Sequence, residues 1–114
     1  MSAPPFLSPG RLGKIELHNR LIRAATSETM CTVEREVTDD LIRLYADLAK
    51  RGAGLLITGH IYVESRGQCT DRQIGIYSDA LVPGLKRLTD TVHSAGGKIF
   101  AELSHDSSNL RGCP

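Results

Sequence analysis

The hydrophobic positions of this chain change spacing from segment to segment, which predicts strands and helices in alternation. Apolar residues on both sides of Gly13 within Arg11–Asn19 indicate a short hairpin. Arg20–Ala25 is an apolar run of strand length, and a polar loop follows it over Thr26–Val37. The chain is therefore predicted to open with a hairpin, a strand and a connection.

The clearest helix follows that loop. Thr38 can cap its N-terminus, and Asp39 and Asp40 place negative charge in the first turn, where the helix dipole favours it. Gly52 supplies the C-terminal stop. The apolar stripe of this helix has the spacing i, i+3, i+4, i+7 and consists of Leu41, Leu44, Tyr45 and Leu48.

Two more strands and a second helix complete the pattern. Ala53–Thr58 is a continuous apolar run, typical of a strand buried on both faces, and Gly59 ends it. A long polar connection is expected over His60–Ser78, and a helix is predicted to begin near Asp79. The last predicted strand is Lys98–Ser104. The buried face predicted for the second helix is Leu81, Leu85, Leu88 and Val92.

Alternating strands and helices favour an α/β fold with a parallel sheet and crossover connections. Two architectures fit this order: an open doubly wound sheet and a closed eight-stranded barrel. A complete barrel needs about 250 residues. A chain of 114 residues could therefore supply only the first three or so of its eight units.

Composition narrows the function classes. The chain carries 14 Lys and Arg against 13 Asp and Glu, a formal charge of +1, so no clustered basic surplus points to nucleic acid. No apolar stretch approaches the roughly 20 residues of a membrane span, and Met1–Gly13 lacks the apolar core of a signal peptide. We therefore expect a cytoplasmic protein that binds neither nucleic acid nor membrane.

Cysteine usage gives no pattern. Cys31, Cys69 and Cys113 are an odd number and show no C-x-x-C spacing. This argues against a disulfide framework and against a zinc site built on cysteine pairs. Free thiols are expected.

Several weaker motifs are better explained by ordinary structure. Gly52–Gly54 precedes a strand, whereas a dinucleotide-binding loop needs its glycines after a strand. The spacing of His60, Cys69 and His105 fixes no coordination geometry, so no metal site is expected. Ser27 lacks the G-x-S-x-G context of a nucleophile.

Polar residues follow the ends of three consecutive predicted strands, at Thr26–Ser27, Gly59–His60 and Glu102–His105. In both candidate architectures, ligands bind at this end of a parallel sheet. Most strands end in something polar, however, so position alone leaves a binding site and an ordinary strand end equally open.

Four segments resemble the old yellow enzyme family of flavin oxidoreductases, in the same order and with similar gaps. Leu7–Thr26 resembles the opening hairpin and first barrel strand, with the Asn19-Arg20 pair leading into that strand. Gly52–Gly59 resembles the second strand, Asp71–Asp90 is the most specific match, and Gly96–His105 resembles the third strand. The similarity is to the bacterial branch with 2,4-dienoyl-CoA reductase-like and NADH oxidase-like members.

The resemblance implies an FMN-dependent (β/α)8 barrel, of which residues 1–114 would be the N-terminal third. Such an enzyme passes hydride from NAD(P)H through FMN to the C=C bond of an electron-poor alkene or enone. Relatives continue differently after His105, so residues 106–114 are expected to be a tail unlike the family. Because most of the barrel is missing, the chain alone is expected to be inactive. The alternative is a non-catalytic fragment that self-associates through its open sheet edge or pairs with another barrel piece.

The resemblance also implies cofactor-binding residues. Ala25 and Thr26 would lie beside the isoalloxazine, partly through backbone groups, and Ser27 would occupy the position that tunes the flavin. Gly59 would allow the end of the second strand to approach the ring, because a Cβ there would obstruct it.

Glu102 and His105 complete the implied site. Glu102 stands where the family usually has Gln at the pyrimidine edge, and we hypothesise that its charge weakens FMN binding or lowers the flavin potential. His105 matches the family's Q-L-x-H histidine and is a substrate-side candidate.

Overall fold

A computed structural model describes residues 4–106 of the chain, and its elements follow the predicted order. Strands β1 (Gly10–Leu12) and β2 (Ile15–Leu17) pair as an antiparallel hairpin. Gly13 lies in the turn with φ +57, a left-handed conformation that glycine adopts without steric cost. The predicted hairpin is confirmed.

Helix α1 (Asp39–Lys50) begins and ends where the sequence predicts. The Thr38 hydroxyl accepts a hydrogen bond from the Leu41 amide at 3.2 Å, which satisfies one of the free N–H groups of the first turn. Gly52, with φ +98, follows the end of the helix. Local capping residues therefore determine both ends.

The buried face of α1 differs from the predicted stripe. Leu41 and Tyr45 are fully buried, but Leu44 and Leu48 are only half-buried. The helix packs against both a strand and the second helix, so its buried face is wider than the predicted stripe. The additional buried residues are Ile42, Ala46 and Ala49.

The central sheet is parallel and three-stranded, with the order β3 (Ile22–Arg23), β4 (Leu55–Ile57), β6 (Ile99–Phe100). Helix α1 connects the first two strands, and helix α2 (Val82–Ser94) connects the second to the third. The strands lie side by side in chain order, an arrangement that occurs in the wall of a barrel and equally in the first half of a doubly wound sheet.

Both helices cover one face of this sheet and contact each other. Leu81, Leu88 and Val92 are buried as predicted, whereas Leu85 is half-buried. The main buried cluster joins the sheet and the helices, and its largest fully buried members are Leu41, Tyr45, Leu56, Ile61, Leu88 and Val92.

Two strand predictions need correction. The predicted strand Lys98–Ser104 is divided into β6 and β7 (Leu103–Ser104), and the predicted polar connection contains β5 (Ile61–Tyr62). The two new strands pair in parallel, with Ile61 opposite Leu103. The chain thus changes partner after β6, and such pairing between distant segments leaves no periodic signal in the sequence.

Apolar side chains remain exposed along the sheets. Ile22 on one edge strand is 46% exposed, Phe100 on the other edge strand is 37% exposed, and Leu103 is 61% exposed. Strands of a complete barrel have no free edges. Within the described residues, both edge strands of the central sheet therefore carry exposed apolar side chains.

The cysteines, the helices and the potential metal ligands bear on the remaining expectations from the sequence. Cys31 is a buried free thiol, but Cys69 is disulfide-bonded, so the expectation of free thiols is wrong for Cys69 because sequence spacing does not show which cysteines meet. Within residues 4–106, no helix is long and apolar enough to cross a membrane, and no cluster of three or more potential metal ligands occurs. The expected tail at 106–114 lies, beyond Asp106, outside the described residues.

Candidate cofactor site

The carboxyl ends of the three central strands bring together three of the segments singled out in the sequence. A Cβ added to Gly59, after β4, would lie 2.5 Å from the carbonyl oxygen of Thr26, after β3. The Glu102 amide, after β6, donates to the Thr58 hydroxyl at 3.2 Å. The Glu102 carbonyl accepts from the Ile61 amide at 2.8 Å. Thr26, Gly59 and Glu102 therefore belong to one end of the sheet.

This end of the sheet is open to a ligand. Thr26, Ser27 and Glu102 are exposed, and Ala25 is half-buried. The Thr26 hydroxyl donates to the Ala24 carbonyl at 3.1 Å, which forms a local turn in the loop after β3. Hydroxyl, peptide and carboxylate groups are thus available on neighbouring strands.

His105 comes directly after β7, and its described contacts are with residues other than Thr26, Gly59 and Glu102. Its Nε2 is 3.2 Å from a carboxylate oxygen of Glu64, and a Cβ added to Gly67 would lie 2.7 Å from the imidazole. Desolvation raises the pKa of Glu64, but hydrogen bonds from His105 and Arg66 outweigh it and hold that pKa below its ordinary value. The described contacts of His105 are therefore with the segment after β5.

A buried carboxylate lies behind the open surface. The Glu28 side chain is only 5% exposed. It accepts hydrogen bonds from Arg23 Nη1 at 2.9 Å and from the Gly59 amide at 3.2 Å. The Tyr45 hydroxyl also donates to it. One carboxylate is thus bound by groups from β3, α1 and the end of β4.

Arg23 and Tyr45 complete this buried network. Arg23 Nη1 also donates to the Tyr45 hydroxyl at 2.7 Å and to the Ile57 carbonyl at 3.0 Å, and its guanidinium lies 5.1 Å from the centre of the Tyr45 ring. Burial, and then the hydrogen bond to Glu28, raise the pKa of Tyr45 well above its ordinary value. The phenol therefore stays protonated and remains a donor.

The network explains why residue 59 is a glycine. An added Cβ would lie 2.3 Å from Glu28 Oε2, as well as 2.5 Å from the Thr26 carbonyl. The close approach seen at Gly59 is thus that of Glu28 and Thr26. The role of Gly59 toward a flavin stays a prediction.

A buried glutamine fixes the connection after β4 to the last strand. The Gln73 side-chain oxygen accepts from the Cys69 amide at 2.7 Å and the Thr70 amide at 3.1 Å. Its nitrogen donates to the His60 carbonyl at 3.1 Å and lies 3.3 Å from the Ser104 hydroxyl. Gln73 therefore holds the 60–78 segment against β7, whose last residue, Ser104, directly precedes His105.

The roles of Arg23, Glu28 and Tyr45 do not follow from the sequence pattern. That pattern predicts a strand at Arg23, a polar loop at Glu28 and an apolar helix stripe at Tyr45. One signal was present: an arginine within an otherwise apolar strand needs a buried partner, and Glu28 is an acidic residue only five positions later.

Comparison with known proteins decides the family. The sequence profile of the NADH:flavin oxidoreductase / NADH oxidase family matches residues 5–111. The chain belongs to this family.

Two relatives of this family illustrate the similarity. The 4,4'-dithiodibutanoate disulfide reductase of Rhodococcus erythropolis is 35% identical over 102 residues, which are 90% of this chain and 25% of the relative. The metal reductase of Desulforamulus reducens is 36% identical over 98 residues, which are 86% of this chain and 14% of the relative. The chain thus spans a quarter or less of these two relatives.

Solved structures agree with the old yellow enzyme resemblance. An old yellow enzyme homologue from Zymomonas mobilis has a TM-score of 0.82 and 32% identity over 90% of this chain and 28% of its own. Old yellow enzyme from Pichia sp. AKU4542 has a TM-score of 0.84 and 30% identity over 89% of this chain and 26% of its own. The predicted partial barrel is confirmed, and the doubly wound alternative is excluded.

Proposed function

We propose that this chain forms part of the FMN site of an NAD(P)H-dependent oxidoreductase. The flavin contacts proposed for it are Ala25, Thr26, Ser27, Gly59 and Glu102. The observation that carries the proposal is the meeting of Thr26, Gly59 and Glu102 at the carboxyl ends of three neighbouring parallel strands. Barrel enzymes bind their ligands at this end.

The groups present fit a planar ring with alternating donors and acceptors at its edge. The exposed Ala25–Ser27 segment offers peptide groups and the Ser27 hydroxyl, and no Cβ projects from Gly59 toward them. When bound, FMN would supply the hydride-carrying chemistry. The role of this chain would be to bind and orient the ring.

Glu102 would bring a negative charge to this site, where the family usually has an uncharged glutamine. An ionised carboxylate only accepts hydrogen bonds, so Glu102 could bind a ring N–H but could not donate to a ring carbonyl. Its negative charge would also oppose a negative charge on a reduced flavin. We therefore propose weaker FMN binding or a lower flavin potential than with glutamine at this position.

His105 is proposed to face the substrate, an electron-poor alkene or enone. Its imidazole is oriented by Glu64 and packs on Gly67. Relatives named NADH oxidase, NADPH dehydrogenase and NADH:acrylate oxidoreductase support a nicotinamide donor. The cytoplasmic location expected from the sequence stays a prediction.

Activity of the isolated chain is not part of this proposal. Barrel phosphate sites are commonly built by loops after strands seven and eight, which a chain spanning about a quarter of an old yellow enzyme does not supply. A second candidate function is a non-catalytic fragment that self-associates. The exposed Ile22, Phe100 and Leu103 favour it.

Fluorescence titration tests the proposal. FMN is titrated with the purified 114-residue chain, and light scattering gives the mass of the complex. We expect saturable quenching of FMN fluorescence, with tighter binding for Glu102→Gln than for wild type. Glu34→Gln is the matched control, because it removes the same charge from an exposed loop residue. A folded chain that leaves FMN fluorescence unchanged would contradict the proposed site.

A further inference from the structure

We propose that Glu28 is a positioning residue, whose buried carboxylate fixes the loop after β3 against the end of β4. The effect of Glu28 on FMN affinity rests on the proposed function. The effect of Glu28 on the position of the loop does not, because the hydrogen bonds to its carboxylate lie within this chain.

The Arg23–Glu28 ion pair closes the loop that follows β3. Arg23 and Glu28 bracket Ala25–Ser27, and Arg23 Nη1 is 2.9 Å from Glu28 Oε1. A five-residue separation closed by a charged hydrogen bond leaves the enclosed residues few conformations. The three proposed flavin contacts that follow β3 are Ala25, Thr26 and Ser27, and all of them lie inside this loop.

Glu28 also attaches this loop to the end of the neighbouring strand, β4. The Gly59 amide donates to Glu28 Oε1 at 3.2 Å and to the Tyr45 hydroxyl at 3.0 Å, and Glu28 Oε2 occupies the space that a side chain at residue 59 would need. The same packing brings the Thr26 carbonyl against Gly59. The Glu28 carboxylate, together with the Tyr45 hydroxyl that donates to it, therefore fixes the spacing between the two strand ends.

Two further side chains hold the Glu28 carboxylate in place. Arg23 on β3 and Tyr45 on α1 both donate to it, and Tyr45 is fully buried. Replacing a buried ion pair by apolar residues is often neutral or stabilising, so the pair is weak evidence for a role in stability. A role in fixing one conformation explains these contacts better.

The first test does not use FMN. Native-state hydrogen exchange is measured for wild type, Glu28→Gln and the control Glu34→Gln. We expect the Gly59 amide to be protected in wild type and in the control, and to exchange severalfold faster in Glu28→Gln, where its acceptors are a neutral amide oxygen and the Tyr45 hydroxyl. Amides in the middle of α2 should be unchanged. Gly59 exchange as fast as that of exposed loop amides in wild type would overturn the proposal.

Tyrosinate absorbance gives a second reading of the same network. Glu28 helps to hold the pKa of Tyr45 high, so Glu28→Gln should move its ionisation to lower pH, whereas Glu34→Gln should not. An unchanged titration together with unchanged Gly59 exchange would refute the role of Glu28. If Glu28→Gln fails to fold, Tyr45→Phe keeps the Glu28–Gly59 hydrogen bond. Gly59 must then stay protected in that variant.

FMN binding separates positioning from a structural role. At a temperature where both proteins are fully folded by circular dichroism, Glu28→Gln should bind FMN about tenfold more weakly than Glu34→Gln. A lower melting temperature with unchanged FMN affinity would mean a merely structural role and would overturn the proposal. If wild type binds no FMN, the proposed function fails for the isolated chain. In that case exchange at Gly59 alone decides whether Glu28 positions the loop.

Discussion

Glu28 and Gly59 lie 31 positions apart in the chain, yet the Gly59 amide donates to the Glu28 carboxylate at 3.2 Å. The second oxygen of the same carboxylate would lie 2.3 Å from a Cβ on residue 59. Real Cβ atoms do not approach other atoms so closely. The identity of residue 59 therefore depends on a side chain from the preceding loop.

Replacing Gly59 by alanine should destabilise the protein. The new methyl group would meet Glu28 Oε2 and the Thr26 carbonyl, and relieving such overpacking typically costs about 1–3 kcal/mol. Urea unfolding measures the loss. Gly10→Ala is the control, because the three atoms nearest to its Cβ all belong to the flexible Arg20 side chain, the first at 3.2 Å. Equal stability of Gly59→Ala and wild type would show that the loop can move away.

A double variant identifies the source of that loss. Removing the carboxylate with Glu28→Ala should make the second substitution, Gly59→Ala, less costly than it is in wild type. Residues in contact show such non-additive effects, whereas distant residues usually do not. Additive losses would assign the cost to the Thr26 carbonyl instead.

Cys31 should make stability fall at alkaline pH. Burial first, and then the negative charge of Glu28, raise the pKa of the Cys31 thiol from 9.0 to about 11. The folded state then retains a proton that the unfolded state loses, so stability is fully present below pH 9 and falls between pH 9 and 11. A shift of this size corresponds to about 2 kcal/mol by pH 11.

Urea unfolding from pH 8 to pH 11 checks this, with Cys31→Ala as the comparison. Tyrosines also ionise in this range, so the difference between the two proteins is the relevant quantity. The alanine variant should lose less stability than wild type over the interval. Parallel pH profiles would mean that the thiol is not protected in the folded state.

The ends of α1 could be predicted because their signals are local. Thr38 and Gly52 act on backbone groups within a few positions of themselves. The pairing of β5 with β7 could not be predicted, since Ile61 and Leu103 meet across more than forty residues. Strand Lys98–Ser104 was predicted as one element for the same reason: its apolar pattern is continuous, and only its change of partner divides it.

Within the candidate site, the strand ends were predictable and the groups behind them were not. The alternation of strands and helices indicated that Thr26, Gly59 and Glu102 share one end of the sheet. The five-residue separation of Arg23 and Glu28 was the one sequence signal for a buried carboxylate, whereas its other partner, Tyr45, lies 17 positions away on a helix and leaves no local signal. A buried ion network joins residues that are far apart in the sequence, so it leaves no periodic pattern there.

Removing the cap of α1 should cost about 1 kcal/mol, the usual effect of an N-cap threonine. In Thr38→Ala the Leu41 amide loses its acceptor, and the Met30 carbonyl loses the donor that lies 2.7 Å away. Thr38→Ser keeps both hydrogen bonds and should remain close to wild type. Urea unfolding of the two variants provides the measurement, and equal losses would assign the effect to the lost methyl group.

A lysine at the sheet edge should weaken self-association. Ile22 lies on the edge strand β3 and is 46% exposed, so a charge there opposes both edge-to-edge pairing and burial of the apolar surface. Light scattering across a concentration series should show association of wild type, and about tenfold weaker association of Ile22→Lys. Val33→Lys is the matched control, since Val33 is an exposed valine outside the strands. Equal weakening by both lysines would point to net charge rather than to the edge. A monomeric wild type would leave the exposed edge strands without a partner in solution, and the self-associating alternative would be wrong.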